Sequence, residues 1–113
     1  MTYELAKQLK DAGFPQKGKG AWEWVERVGV DVTGPFYFPT LPELIEACPK
    51  TRQEKGEEYP GYLSLSATDN GWKAGYDRFY PYEGNMFDMD TESLGSTPKE
   101  AVANLWLALN GKT

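Results

Sequence analysis

The stretch "GSTPKEAVANLWLALNGK", residues 95–112, constrains the fold more than any other segment. Thr97 is placed to cap a helix, Pro98 suits its first position, Glu100 its third, and Gly111 its end. Between Ala101 and Leu109 the only polar side chain is Asn104. A helix at the surface of a small domain carries a polar face opposite its apolar one. This helix lacks that face, so it must be covered on nearly every side.

The sheet that supplies one cover is legible in "YLSLSATDNGWKAGYDRFY", residues 62–80. Asn70-Gly71 is the favoured two-residue type I′ turn. With those two as the loop, Asp69 pairs with Trp72, Ala67 with Ala74, Leu65 with Tyr76 and Leu63 with Arg78. That register puts Leu63, Leu65, Ala67, Trp72, Ala74 and Tyr76 on one face, and Ser64, Ser66, Thr68, Lys73 and Asp77 on the other. The last helix is expected on the apolar face through Ala101, Leu105, Ala108 and Leu109. Val102, Trp106, Ala103 and Leu107 then need a second cover. Two short helices can provide it, or a homodimer contact made by Val102 and Trp106, since a bare Trp-Leu patch is unusual on a monomer.

Those two helices are marked. Leu5 and Leu9, with Ala6 and Ala12 beside them, recur at helical spacing, and Gly13 is placed to stop the run. In "TLPELIEAC", Thr40 and Glu43 form a capping box, and Leu41, Leu44, Ile45 and Cys48 share a face that ends at Pro49. Between the helices, residues 21–30 ("AWEWVERVGV") and 36–40 ("FYFPT") read as strands that pair across a turn around "DVTGP". Residues 49–61 are the most polar segment and read as a solvated loop. Met86, Phe87 and Met89 mark a third strand after the hairpin. The expected architecture is α+β: one domain over residues 1–113, with an antiparallel sheet of about three to five strands and helices packed mainly on one face.

Several chemistries are excluded by composition. The chain has no histidine and one cysteine, which removes Ser-His-Asp and Cys-His pairs, His-containing zinc sites and thiolate clusters. Cys48 reads as a small core side chain, and nothing in the chain needs an oxidising compartment. No apolar run approaches the ~18 residues of a membrane span, and no signal segment opens the chain, so a cytoplasmic location is expected. A net charge of −5 disfavours direct binding to nucleic acid, although an acidic surface suits a basic partner.

Three motifs bear on chemistry. "QKGKG", residues 16–20, lacks the spacing of a phosphate-binding loop. Asp88, Asp90 and Glu92 alternate as in a calcium loop, but Ser93 and Lys99 stand where the glycine and glutamate should be, so a solvated acidic turn is expected. A hydrolase using a pair among Glu23, Glu26, Asp69 and Asp77 is formally open, with nothing to single out a pair. No cofactor or metal is implied.

Aromatic residues are abundant: four Trp, seven Tyr and five Phe. Trp72, Tyr76, Phe79, Tyr80 and Tyr82 cluster around the hairpin, and Trp22 and Trp24 are placed to join them. They serve either as packing for a small sheet or as a stacking pocket for a base, a nucleotide or a peptide side chain. Arg78, at the open end of the hairpin, either snorkels to solvent or supplies a cation beside the rings. Arg27, Arg52 and Lys73 are further cations for an anionic ligand. The candidate ligand site is therefore Trp22, Trp24, Trp72, Tyr76, Arg78, Tyr80 and Tyr82.

Two resemblances add context. The order strand, NG turn, strand, then "GSTPKEAVANLWLAL" resembles the sheet-then-helix layout of HicB-type antitoxin domains, through Gly95, Ser96, Thr97, Glu100 and Ala101. The chain has no recognisable ribbon-helix-helix or helix-turn-helix segment. "LAKQLKDAGFPQ", "PTLPELIEAC" and "STPKEAVANLWLALN" together resemble a group of small uncharacterised phage and prophage proteins. That resemblance implies a phage-borne cytoplasmic protein acting on host machinery or on another phage component. With the exclusions above, the expectation is a non-enzymatic protein that binds a host or phage protein, or sequesters a small nucleotide-like signal at the aromatic site, and so inhibits host defence. The antitoxin resemblance implies instead a partner of a small toxin.

Overall fold

The computed structural model describes residues 1–23, 35–53, 59–80 and 86–110, with 79–80 and 86–90 described by backbone alone. Its elements run α1 (Tyr3–Asp11), β1 (Ala21–Glu23), β2 (Phe36–Phe38), α2 (Leu41–Ala47), β3 (Thr51–Arg52), β4 (Gly61–Thr68), β5 (Gly71–Tyr80), β6 (Met86–Gly95) and α3 (Pro98–Asn110). The strands form a two-stranded antiparallel ribbon, β1-β2, and a four-stranded antiparallel sheet ordered β3-β4-β5-β6. The fold is α+β, with the helices packed against the sheet.

All three helices start by side-chain capping. Thr2 accepts from the Leu5 N–H, Thr97 from the Glu100 N–H, and Thr40 with Glu43 forms the reciprocal capping box. At the end of α1 the Phe14 N–H reaches the Leu9 carbonyl and the Gly13 N–H the Lys10 carbonyl, a Schellman closure around Gly13. This closure turns Phe14 inward, where its ring meets Trp106 edge-on at 5.0 Å. The stop signal of α1 thus delivers a core side chain. Gly111, the expected stop of α3, lies outside the described residues.

The hairpin forms in a register two residues away from the one the Asn-Gly dipeptide suggests. Thr68 pairs with Gly71, Ala67 with Trp72, Leu65 with Ala74, Leu63 with Tyr76 and Gly61 with Arg78, so the loop is Asp69-Asn70. Neither loop residue has positive φ, whereas Gly71 sits at +155° as the first residue of β5. A Cβ on Gly71 would stand 2.5 Å from the Gly95 carbonyl oxygen, so the third strand claims Gly71 for close packing and the turn moves back. Side chains alternate with period 2, and a shift of two residues preserves the faces. Leu63, Leu65, Trp72, Ala74 and Tyr76 accordingly still face the core.

Two segments differ from expectation. Thr51 and Arg52, read as loop, form a short edge strand against Tyr62 and Gly61. The acidic run around Asp88 and Asp90 belongs to β6 and is no turn, because its backbone pairs with β5. β6 carries a bulge, with Thr91 and Glu92 opposite Gly75. Thr91 takes φ +52°, a left-handed position that costs a β-branched residue roughly 1–2 kcal/mol.

α3 lies across the sheet and under the other helices. Ala101, Val102, Ala103, Leu105 and Trp106 are buried, in one cluster with Leu5, Leu9, Phe14, Leu44 and Cys48. The cover over its second side is therefore α1 and α2. This corrects the reading of Val102 and Trp106 as interface residues, since the chain itself buries them. Ala108, expected against the sheet, is exposed. The lone polar residue, Asn104, donates from its amide to the Leu94 carbonyl of the edge strand at 2.8 Å.

Candidate functional site

Among the described residues, a partly buried polar cluster lies where the 16–20 loop, β2 and α2 meet. The Tyr37 side chain is fully buried. Its hydroxyl lies 2.6 and 2.8 Å from the two carboxylate oxygens of Glu43 and accepts the Gly20 N–H at 2.8 Å. Glu43 also accepts from the Thr40 N–H and hydroxyl, each at 3.0 Å. The capping box of α2 thus fixes the carboxylate that holds Tyr37. The glycine-rich loop closes over this carboxylate, and a Cβ on Gly18 would stand 2.7 Å from the Tyr37 hydroxyl. A loop filled by an anion of its own chain is no cradle for phosphate.

The electrostatics match the geometry. Burial pushes the Glu43 carboxyl up, but hydrogen bonds from Tyr37, Thr40 and Gly20 outweigh it and hold the group below its ordinary value. Burial, and then the hydrogen bond to Glu43, push the Tyr37 hydroxyl up. A carboxylate so supplied with donors is a poor proton shuttle near neutrality. Burial also pushes the Cys48 thiol up to about 11, which keeps it protonated and unreactive.

Tyr37 supports Trp22. The two residues are direct cross-strand partners in the β1-β2 ribbon, with ring centroids 5.3 Å apart at 54°. β2 is in turn fixed to α1, where Phe36 meets Tyr3 edge-on at 5.4 Å and Lys10 stands over the Phe36 ring at 5.6 Å. All three residues of β1 are exposed, and Trp22 keeps 53% of its surface in solvent. The result is a large aromatic side chain outside the core, backed by a ring that cannot move freely.

The seven residues expected to line one ligand site take different places. Trp72 packs against the main core, and Tyr76 lies within it, its hydroxyl donating to the Pro49 carbonyl at 2.7 Å. Arg78 is buried, with Nε donating to the Tyr59 carbonyl at 2.8 Å; it neither snorkels nor faces an open cage. Trp22 belongs to the ribbon. Tyr80 lies at the end of β5, its side chain undescribed, and Trp24 and Tyr82 lie outside the described residues, as do Arg27 and Glu26. Arg52 donates to the Thr91 hydroxyl, and Lys73 lies on the opposite face of the sheet. Of the remaining carboxylates, Glu23 is exposed on β1, Asp69 is in the turn, and Asp77 faces away from the core.

The sequence reading missed Tyr37, Glu43 and Gly20 as a unit. The available signal was Glu43 in the capping box, since Tyr37 and Glu43 each lie three residues from Thr40, on either side of it. Among the described residues no group of His, Cys, Asp or Glu suits a metal ion, and no helix is long and apolar enough to cross a membrane. No protein-family profile, curated protein or solved structure matches the chain.

Proposed function

We propose that this chain is a non-enzymatic interaction protein that engages a protein partner through Trp22. The observation that carries the reading is the combination of exposure and support. Trp22 is half in solvent, yet it rests on a buried Tyr37 whose hydroxyl is fixed at both ends. Tryptophan is the side chain most enriched among residues that dominate binding energy, and a pre-ordered anchor loses less entropy on binding. The unreactive Cys48 and the donor-saturated Glu43 support a binding role over a catalytic one. The net charge of −5 suits a basic partner surface. The resemblance to small phage proteins supports a partner in the host cytoplasm, with inhibition of host defence as the outcome.

The test is affinity capture from host lysate with the native chain and a Trp22→Ala variant of unchanged circular dichroism. A protein retained by the first and lost by the second supports the reading. Identical retention by both counts against it.

One observation favours a second reading. β4, β5 and β6 form a meander that runs directly into a capped helix packed on one face, the layout implied by the antitoxin resemblance. An antitoxin-like role predicts co-purification with the product of an adjacent toxin gene.

A further inference from the structure

The four-stranded sheet has one face under α3 and, among the described residues, one face without a helix. The second face has a definite pattern. Tyr62 pairs with Asp77, Ser64 with Gly75 and Ser66 with Lys73 across β4 and β5, and Lys73 pairs with Leu94 across β5 and β6. Tyr62 is 60% exposed and Leu94 61%, the two largest exposures of big apolar side chains among the described residues, ahead of Trp22 at 53%. Lys73 and Asp77 lie four residues apart on one strand, roughly 13 Å at 3.3 Å per residue, too far to pair with each other. Neither has an ion-pair partner among the described residues.

We propose that this face binds a second copy of the chain about a two-fold axis crossing the strands above the Ser64–Gly75 row. Such an axis reverses position along each strand and keeps the order of strands across the sheet. Lys73 of one protomer then meets Asp77 of its partner, and the same contact repeats on the other side of the axis. Tyr62 meets Ser66, large over small. The axis itself passes over Ser64 and Gly75, a row of small residues, which allows two sheets to approach to about 10 Å. A two-fold axis along the strands would set Lys73 against Lys73 and is disfavoured. Charge, size and symmetry agree on one arrangement. It does not rest on the role of Trp22, which lies on the separate β1-β2 ribbon.

Sedimentation velocity across micromolar to millimolar concentration tests the arrangement, using the native chain, Lys73→Glu, Asp77→Lys and an equimolar mixture of the two variants. The native chain is expected to self-associate. Each variant alone sets like charges together twice and weakens association by about tenfold or more. The mixture restores opposite charges at both contacts and re-associates as a heterodimer, which an unfolded variant cannot do. A native chain that stays monomeric throughout overturns the proposal. So does a dimer indifferent to either reversal, or a mixture that fails to re-associate.

Discussion

The Tyr37 hydroxyl lies 2.6 Å from the Glu43 carboxylate and takes the Gly20 N–H at 2.8 Å, so one phenol ties a loop, a strand and a helix together. Removing that hydroxyl with Tyr37→Phe leaves a partly buried carboxylate and a backbone N–H short of a partner. The expected cost is about 1–3 kcal/mol, read as a shift in urea midpoint with unchanged m-value. An unchanged midpoint would mean that the cluster does not hold the ribbon.

The same cluster sets a pH dependence at both ends of the scale. The folded-state pKa of Glu43 is lowered, so its contribution is present above its ordinary value of 4.5 and is lost as pH falls through the folded value. The pKa of Tyr37 is raised, so its contribution is present below its ordinary value of 10.0 and is lost as pH rises through the folded value. Glu43→Gln is expected to flatten the acid limb of melting temperature against pH. Tyr37→Phe is expected to flatten the alkaline limb. A native and a Glu43→Gln profile that run parallel below pH 4.5 would contradict this assignment.

The turn offers a sharp contrast between adjacent residues. Gly71 has φ +155° and no room for a Cβ beside the Gly95 carbonyl, whereas Asn70 has ordinary φ. Gly71→Ala is expected to cost more than about 1 kcal/mol and Asn70→Ala less than about 0.5 kcal/mol. The type I′ register predicts a penalty at both positions, so equal costs in thermal melts would favour that register.

How far the fold was legible depended on what each signal measures. Caps and periodicity are local, and Thr40, Thr97, Leu5, Leu9 and Leu44 behave as the sequence suggests. The bare face of α3 was also informative, because it demanded the two covers that the structure supplies. The hairpin register was not legible, because Gly71 is fixed by its approach to Gly95, twenty-four residues away. The aromatic residues misled for a related reason. Composition counts rings but does not say which way they point, and Tyr76 points into the core while Trp22 points out of it. Glu43 was visible as a capping residue, but its bond to Tyr37 needs the loop and the strand in place.

The bulge on β6 gives a test of strain. Thr91→Gly and Thr91→Val both remove the hydroxyl that Arg52 reaches, but only glycine suits φ +52°. The glycine variant is expected to be the more stable by about 1–2 kcal/mol in urea unfolding. A more stable valine variant would place that residue in extended backbone.

Trp106 separates core from interface. Trp106→Ala removes a ring that meets Phe14 at 5.0 Å and is expected to cost about 3–5 kcal/mol. That loss should not depend on protein concentration. A cost that vanishes on dilution would return Trp106 to a subunit contact.

The role of Trp22 is tested most directly by fluorine NMR of the chain labelled with 5-fluorotryptophan. Its four tryptophans give four resonances, and a Trp22→Phe variant assigns one of them. On titration with a protein captured by the native chain, the Trp22 resonance is expected to shift or broaden first, while those of the buried Trp106 and the partly buried Trp72 hold their positions. A bound complex in which the Trp22 resonance stays unmoved would contradict the account.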